Sequence, residues 1–269
     1  MANVGKVNWS GATRSGSRKE RNDDSWIAFS ANAEGSCQLP GSGSESLESQ
    51  DLVFAVSDGM GGANAGDMAS ALILERMATL IPNTFKAAAS GFFPDSISHL
   101  EQMLKDVHDH INAAAASSED RNGMAATLAL TWFSPENMYL ANVGDSRIYR
   151  CRDGKTKQLS KDHTVVWAQL QRGEIMEVEY RCHPRRSALY QVVGGAHHNI
   201  CPHFAAIQYL PGDRFLICSD GLIDGVWERH IRDALAERTM AVGCCEKLLN
   251  RAIGNSGIDD TTLIVVDVE

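Results

Sequence analysis

Apolar residues in this chain gather in short runs that stop abruptly at an acid. The clearest is Leu52-Val-Phe-Ala-Val-Ser, which ends on Asp58 and passes at once into Gly59, Gly61 and Gly62. Valine and phenylalanine at this density predict a buried strand, and the glycines predict the turn that ends it. Those glycines also let backbone approach a ligand closely. Beyond the turn, Met68, Ala69, Leu72, Ile73, Arg76, Met77 and Leu80 keep a helical period with one apolar face. Taken alone, such a turn reads as an ordinary strand-to-helix turn in which Asp58 caps the helix. Repetition argues for more. Tyr139 to Asp145 and Arg214 to Asp220 are two further apolar runs ending in aspartate, and Ser219-Asp220-Gly221 repeats Ser57-Asp58-Gly59. Asp259-Asp260 stand before the apolar run that ends at Val266, and Asn22-Asp23-Asp24 stand before Trp26 to Phe29. Acids at strand ends along the whole chain predict one assembled site.

The remaining pattern fills in the elements. Residues 3–15 predict an opening strand, and the Gly-, Ser- and Glu-rich stretch 34–50 a flexible surface loop. Ile97, Leu100, Met103, Leu104, Val107 and Ile111 predict a helix over 95–117, with Asp95 or Ser96 as its cap and His99, His108 and His110 facing solvent. Thr127 to Leu159 reads as an antiparallel meander with a hairpin turn at Asp153-Gly154. A short helix over 164–171 leads into a polar, irregular section, 173–195, expected to be a mobile surface element carrying Arg181, His183, Arg185 and Arg186. A strand at 213–218, helices at 228–238 and 240–253, and a strand at 262–267 close the chain. Strands and helices come in runs instead of alternating, which predicts an α+β fold in a single domain over 1–269.

Composition narrows the function. With 269 residues, 43% hydrophobic and 22% charged, the chain has the make-up of a globular protein. Its formal charge of -9 argues against a nucleic-acid or acidic-membrane partner. No apolar run approaches the ~20 residues of a membrane span. The first residues lack a signal-peptide core, so a cytoplasmic location is expected. None of the seven cysteines forms a Cys-x-x-Cys pair, and several sit in apolar runs, as reduced buried thiols do. A zinc site is therefore not expected, despite nine histidines.

Several carboxylates without Cys or paired His at ligand spacing specify a hard cation, Mg²⁺ or Mn²⁺. Gathering so many negative charges in one partly buried place without cations is strongly unfavourable. Two such ions ~3.5–4 Å apart, bridged by a carboxylate and a water, form the arrangement that hydrolyses phosphate esters. A guanidinium or ammonium nearby would hold the other phosphate oxygens. The cationic stretch Arg14, Arg18, Lys19 and Arg21, just before Asp24, is either that anion-binding arm or a solvated loop.

The ordered set Asn22-Asp23-Asp24, Asp58-Gly-Met-Gly-Gly62, Gly123-x-x-x-Thr127, Gly144-Asp145-Ser-Arg147, Lys161-Asp-His-Thr164, Ser219-Asp220-Gly-Leu222 and Asp259-Asp-x-Thr262 resembles the metal-dependent protein serine/threonine phosphatases of the PPM (PP2C-like) family, bacterial type. The match runs from Trp9 to Val268 in family order. The resemblance implies a central β-sandwich of two antiparallel sheets flanked by helix pairs, with two metals, Mn²⁺ or Mg²⁺, in a channel at one edge. It implies that Asp58 is shared by both ions, with the Gly59 carbonyl on one. Asp220 and Asp259 would serve the first ion, and Asp24 the second, directly or through water. Asp145, with Asp220, would hold a third, weaker ion. The catalytic set is then Asp24, Asp58, Asp220 and Asp259, and the reaction is direct attack of a water bridging two metal ions on phosphoserine or phosphothreonine. The implied partners are phosphorylated proteins, substrates of a cognate Ser/Thr kinase, met by a monomer. Residues 164–195 correspond to the family's variable flap.

Three departures stand out. The family's phosphate-binding arginine lies five residues before the first aspartate, where this chain has Lys19; Arg18, one residue off, is the other candidate. Met60 stands where eukaryotic members carry a histidine proposed as general acid. The family's usual Asp-Asn near the C-terminus is Asp259-Asp260 here, which adds a carboxylate. Arg147 is read as structural, paired with a buried acid; His163 is read as a hydrogen-bonded support and Asp23 as a neighbour of the ligands.

Overall fold

The computed structural model describes residues 6–17, 20–60, 65–83 and 96–269. In chain order the strands are β1 (Val7–Arg14), β2 (Asp24–Asn32), β3 (Gly35–Gln38), β4 (Ser42–Glu45), β5 (Asp51–Met60), β6 (Ala125–Ala126) and β7 (Leu128–Phe133). They continue as β8 (Met138–Val143), β9 (Arg147–Arg152), β10 (Lys155–Gln158), β11 (Val193–Gly194), β12 (His203–Ile207), β13 (Arg214–Cys218) and β14 (Thr261–Val268). The helices are α1 (Gly66–Leu80), α2 (Ser96–Ala116), α3 (Val165–Gln171), α4 (Glu177–Cys182), α5 (Asp220–Gly225), α6 (Glu228–Ala236) and α7 (Ala241–Asn255).

The strands form two antiparallel sheets stacked face to face. One runs β10-β9-β13-β14-β1-β4; the other runs β11-β6-β5-β7-β8-β12, with β2 on β5 and β3 on β2. Period-two alternation assigns each side chain to a layer. On β5, Leu52, Phe54 and Val56 enter the core between the sheets, whereas Val53 and Ala55 face α1 and α2. On β14, Ile264, Val266 and Val268 point inward, and Leu263 and Val265 meet α5, α6 and α7. Helices on both outer faces complete the α-β-β-α layering that the resemblance implies. At the centre, Phe54 is fully buried, with its ring 5.7 Å from Trp9 and 5.9 Å from Phe133. Truncating it to alanine costs about 3–5 kcal/mol.

Four expectations need correction. The stretch 34–50 is not a plain loop: it contains β3, which folds back on β2, and β4, which lies along β1. Backbone pairing needs no apolar side chain, and small residues suit this edge. At Gly43 the Trp9 indole leaves no room for a Cβ, which would lie 2.6 Å from it. Leu47 then anchors the segment in the core. His108 does not face solvent. It is buried, accepts the Gly194 N–H at Nδ1 (3.1 Å) and pairs through Nε2 with the His197 carbonyl (2.9 Å), tying α2 to the chain after β11.

The section 173–195 is more ordered than its polarity suggests. It contains α4, whose Tyr180 is buried, and Arg181 donates to the carbonyls of Ile223 (2.6 Å) and Val226 (2.6 Å) while stacking on Trp227. Arg186 forms a two-pronged ion pair with Asp224, and β11 pairs with β6. Arg181 and Arg186 are therefore fasteners to the body of the fold. On α1, Met68 of the expected apolar face is exposed, and Ser70 and Leu74 are buried in its place.

Candidate active site

Sheet register brings the first two acids together. Asp24, at the start of β2, is the Cα partner of Asp58, near the end of β5. Thr127 locks Asp58 from the other side: its Oγ1 accepts the Asp58 N–H at 2.9 Å, its own N–H donates to the Asp58 carbonyl at 2.8 Å, and its carbonyl accepts from Ser57 Oγ at 2.7 Å. The chain then passes through Gly59, whose N–H donates to the Asp23 carbonyl. A Cβ at Gly59 would sit 2.0 Å from the Gly66 carbonyl oxygen, so no other residue fits there. Gly221 is held in the same way, 2.0 Å from the Asp260 carbonyl oxygen, and draws the start of α5 against the start of β14.

The result is a cleft of about 280 Å³ lined by Asp23, Asp58, Gly59, Met60, Asp145, Asp220 and Asp259, with Ser187 and Leu189 from the section after α4. Asp24 lies buried beneath it. Ser219 Oγ donates to Asp24 Oδ2 at 2.7 Å and itself accepts the Thr262 N–H at 3.0 Å, which links β2, β13 and β14 at one point. Four predicted acids therefore line one cleft, and the fifth, Asp24, meets the end of β13 through Ser219.

The electrostatics follow from crowding. Burial raises the Asp24 carboxyl to about 7, the Ser219 and Thr262 hydrogen bonds lower it in part, and Asp260 and Asp259 add repulsion. Burial, with Asp162 second, raises Asp145 to about 7. Asp58 and Asp220 are driven well above the carboxylate range by desolvation and then by neighbouring aspartates. Each group opposes ionisation of the others, so the cleft as a whole favours a bound cation.

Among the described residues, no three His, Cys, Asp or Glu side chains stand in the tight arrangement of a preformed metal cage. The donor set nevertheless fits a hard divalent ion. Asp24 Oδ1 and Asp220 Oδ1 are buried without a hydrogen-bond partner among the described residues, and such orphaned carboxylate oxygens are rare unless an ion uses them. Among the described residues, no nitrogen or sulfur ligand lines the cleft beyond the thioether of Met60, which a hard ion disfavours.

The flanking residues sort themselves out. Arg147 pairs with Asp162 at 2.7 Å, both almost fully buried, and donates to Tyr149 and Tyr180. His163 accepts the Gly144 N–H at Nδ1 (3.1 Å), and burial, reinforced by His203, lowers it to about 4, so it stays neutral. Asp260, the extra carboxylate, serves the backbone instead of an ion. Its Oδ1 accepts the Gly16 N–H at 2.7 Å, and its Oδ2 accepts the Asp23 N–H at 2.8 Å. Both candidates for holding phosphate, Arg18 and Lys19, lie outside the described residues. Ser219 and Thr127 stand in the quoted motifs without a role read for either: Ser219 adjoins Asp220, a hydroxyl beside a strand-end acid, whereas Thr127 adjoins no acid and meets Asp58 only in the folded chain.

The sequence profile of Protein phosphatase 2C matches residues 41–251. Serine/threonine protein phosphatase PstP of Mycobacterium tuberculosis (strain ATCC 25618 / H37Rv) is 33% identical over 216 residues, which are 80% of this chain and 40% of that protein. The chain thus spans less than half the length of this relative. Serine/threonine phosphatase stp of Listeria monocytogenes serovar 1/2a is 30% identical over 224 residues, 83% of this chain and 86% of that protein. Among solved structures, the catalytic domain of PstP in complex with two manganese ions superposes with a TM-score of 0.76 at 27% identity, covering 98% of each chain.

Proposed function

The chain belongs to the protein phosphatase 2C family, and from that premise we propose that it hydrolyses phosphoserine and phosphothreonine on proteins with the help of two divalent metal ions, Mn²⁺ or Mg²⁺. The observation that carries the reading is the acid cleft: Asp58, Asp145, Asp220 and Asp259 on one surface, Asp24 beneath, and two buried carboxylate oxygens lacking partners among the described residues. In this reading Asp58 and the Gly59 carbonyl would help to hold the ions. Asp220 and Asp259 would hold the first, Asp24 would serve the second, and Asp145 with Asp220 would hold a third, weaker one. When bound, the ions would supply Lewis-acid activation of the attacking water and would offset charge on the phosphoryl oxygens.

The protein's own residues set the geometry. Thr127 and Ser219 fix Asp58 and Asp24, so that little rearrangement is needed when cation and substrate arrive. Lys19 or Arg18 is assigned to the remaining phosphate oxygens. Met60 offers no proton, and the neutral His163 is committed to the Gly144 backbone, so the leaving alkoxide takes its proton from solvent in the cleft. Substrates are phosphoproteins modified by a Ser/Thr kinase, acted on by a monomer in the cytoplasm. Among the described residues, no helix is long and apolar enough to cross a membrane.

The experiment is turnover of p-nitrophenyl phosphate with and without Mn²⁺, followed by a phosphothreonine peptide set against nucleotides and sugar phosphates. Mn²⁺-dependent turnover that favours the phosphopeptide is expected. Absence of turnover in Mn²⁺ would overturn the proposal.

A further inference from the structure

A second cavity, of about 450 Å³, lies on the far side of Arg147 from the acid cleft. Its walls come from β10, α3, α4, α5 and α6, and its size is that of a pocket for a small organic ligand. Leu170, Tyr180, Ile223 and the Trp167 indole give it an apolar and aromatic side.

Its polar groups are unevenly spent. Both lining glutamates are engaged: Glu177 accepts the Glu228 N–H and Arg181, and Glu228 accepts the Tyr149 hydroxyl and Arg232. Of its four cations, Arg147 pairs with Asp162, Arg181 with Glu177 and Arg232 with Glu228, which leaves Lys157. The Lys157 side chain has no ion pair or hydrogen bond among the described residues. Two further groups point to a ligand: Trp167 Nε1 and Thr156 Oγ1 are buried without hydrogen-bond partners among the described residues. Buried donors are seldom left this way unless something else satisfies them. An indole N–H can only donate, so the missing partner is an acceptor.

We propose that this cavity binds a small aromatic anion, whose ring packs against Trp167, Leu170 and Tyr180 and whose anionic oxygens accept from Trp167 Nε1, Thr156 Oγ1 and the Lys157 ammonium. The site is separate from the acid cleft, with Arg147 and Tyr180 in the wall between them. Binding here does not depend on phosphatase activity.

The test uses 8-anilinonaphthalene-1-sulfonate as the probe, titrated into the full chain and followed by its fluorescence and by quenching of tryptophan emission. Saturable one-site binding is expected, weakened about tenfold, the equivalent of about 1.4 kcal/mol, by Lys157→Glu and by Trp167→Phe. Trp167→Phe keeps an aromatic ring and removes the N–H; Lys157→Glu changes an exposed side chain and carries the test alone if the Trp167 variant does not fold. No saturable binding, or an affinity unchanged in every folded variant, overturns the proposal.

Discussion

Ser219 and Asp24, 195 residues apart in the chain, meet through a 2.7 Å hydrogen bond in which the serine hydroxyl donates to the carboxylate. The bond leaves Asp24 Oδ1 as the uncommitted oxygen among the described residues. Ser219→Ala is therefore expected to lower Mn²⁺ affinity by roughly 10–100-fold, the usual cost of removing a group that orients a metal ligand. Isothermal titration with Mn²⁺ checks it, and a retained unfolding midpoint would separate this effect from loss of the fold.

Asp58 feels the charge of Asp24, Asp220, Asp145 and Asp259, so its removal reaches furthest. Asp58→Asn keeps the shape of the side chain and removes its charge. Turnover of p-nitrophenyl phosphate in saturating Mn²⁺ should fall by more than about 100-fold, beyond the range for an orienting group. A variant retaining a tenth of the activity would contradict its shared role.

The metal-free protein should lose stability as pH rises. In the folded state Asp24 goes from its ordinary 3.8 to about 7, and Asp145 does the same. Between those values the folded protein binds more protons than the unfolded chain, so stability is greatest below the window and declines through it. A divalent ion reverses the trend because it replaces the protons. At ~100 times its dissociation constant, Mn²⁺ adds about 2.7 kcal/mol around pH 8 and less than about half of that near pH 5.5. Thermal melts at the two pH values, with Mn²⁺ or EDTA, give the comparison.

Arg147 and Asp162 form a buried pair whose partners cannot be separated safely. Asp162→Ala leaves the guanidinium uncompensated and is expected to cost about 3–5 kcal/mol in urea unfolding. Replacing both members together with apolar residues should cost much less, although Tyr149 and Tyr180 would then lose a donor.

Asp260 has a structural role that explains the extra carboxylate. Each oxygen accepts a backbone N–H, from Gly16 and from Asp23, so it holds the segment ahead of β2 against β14. Asparagine offers one oxygen, and its amide nitrogen would face the second N–H. Asp260→Asn should cost about 1–3 kcal/mol with little change in Mn²⁺ affinity.

The parts of the structure legible in the sequence are those where burial and chemistry coincide. Apolar runs ending in acids mark β5, β13 and the cleft, because a strand end on a buried sheet is where a carboxylate can be both rigid and accessible. Edge strands β3 and β4 are silent because backbone pairing leaves no hydrophobic trace in Gly-Ser-Cys-Gln or Ser-Gly-Ser-Glu. His108 is visible in principle: it stands four residues after Leu104 and three before Ile111, on the apolar stripe itself. There the helical period is a better guide than the polarity of the side chain. The pair Arg186–Asp224 joins residues whose spacing carries no signal, so only three dimensions reveal that the section after α4 is pinned.

The pairing of β1 with β14, from Val7 opposite Val268 to Arg14 opposite Thr261, sets a timetable for biosynthesis. Contacts of such long sequence separation form slowly, since the intervening chain must be closed into a loop first. On the ribosome, the sheet that carries β13 and β14 stays open until Val268 has emerged from the exit tunnel. A nascent polypeptide therefore lacks the assembled acid cleft during translation; Asp24 and Asp58 wait for Asp220 and Asp259, which are made long after them.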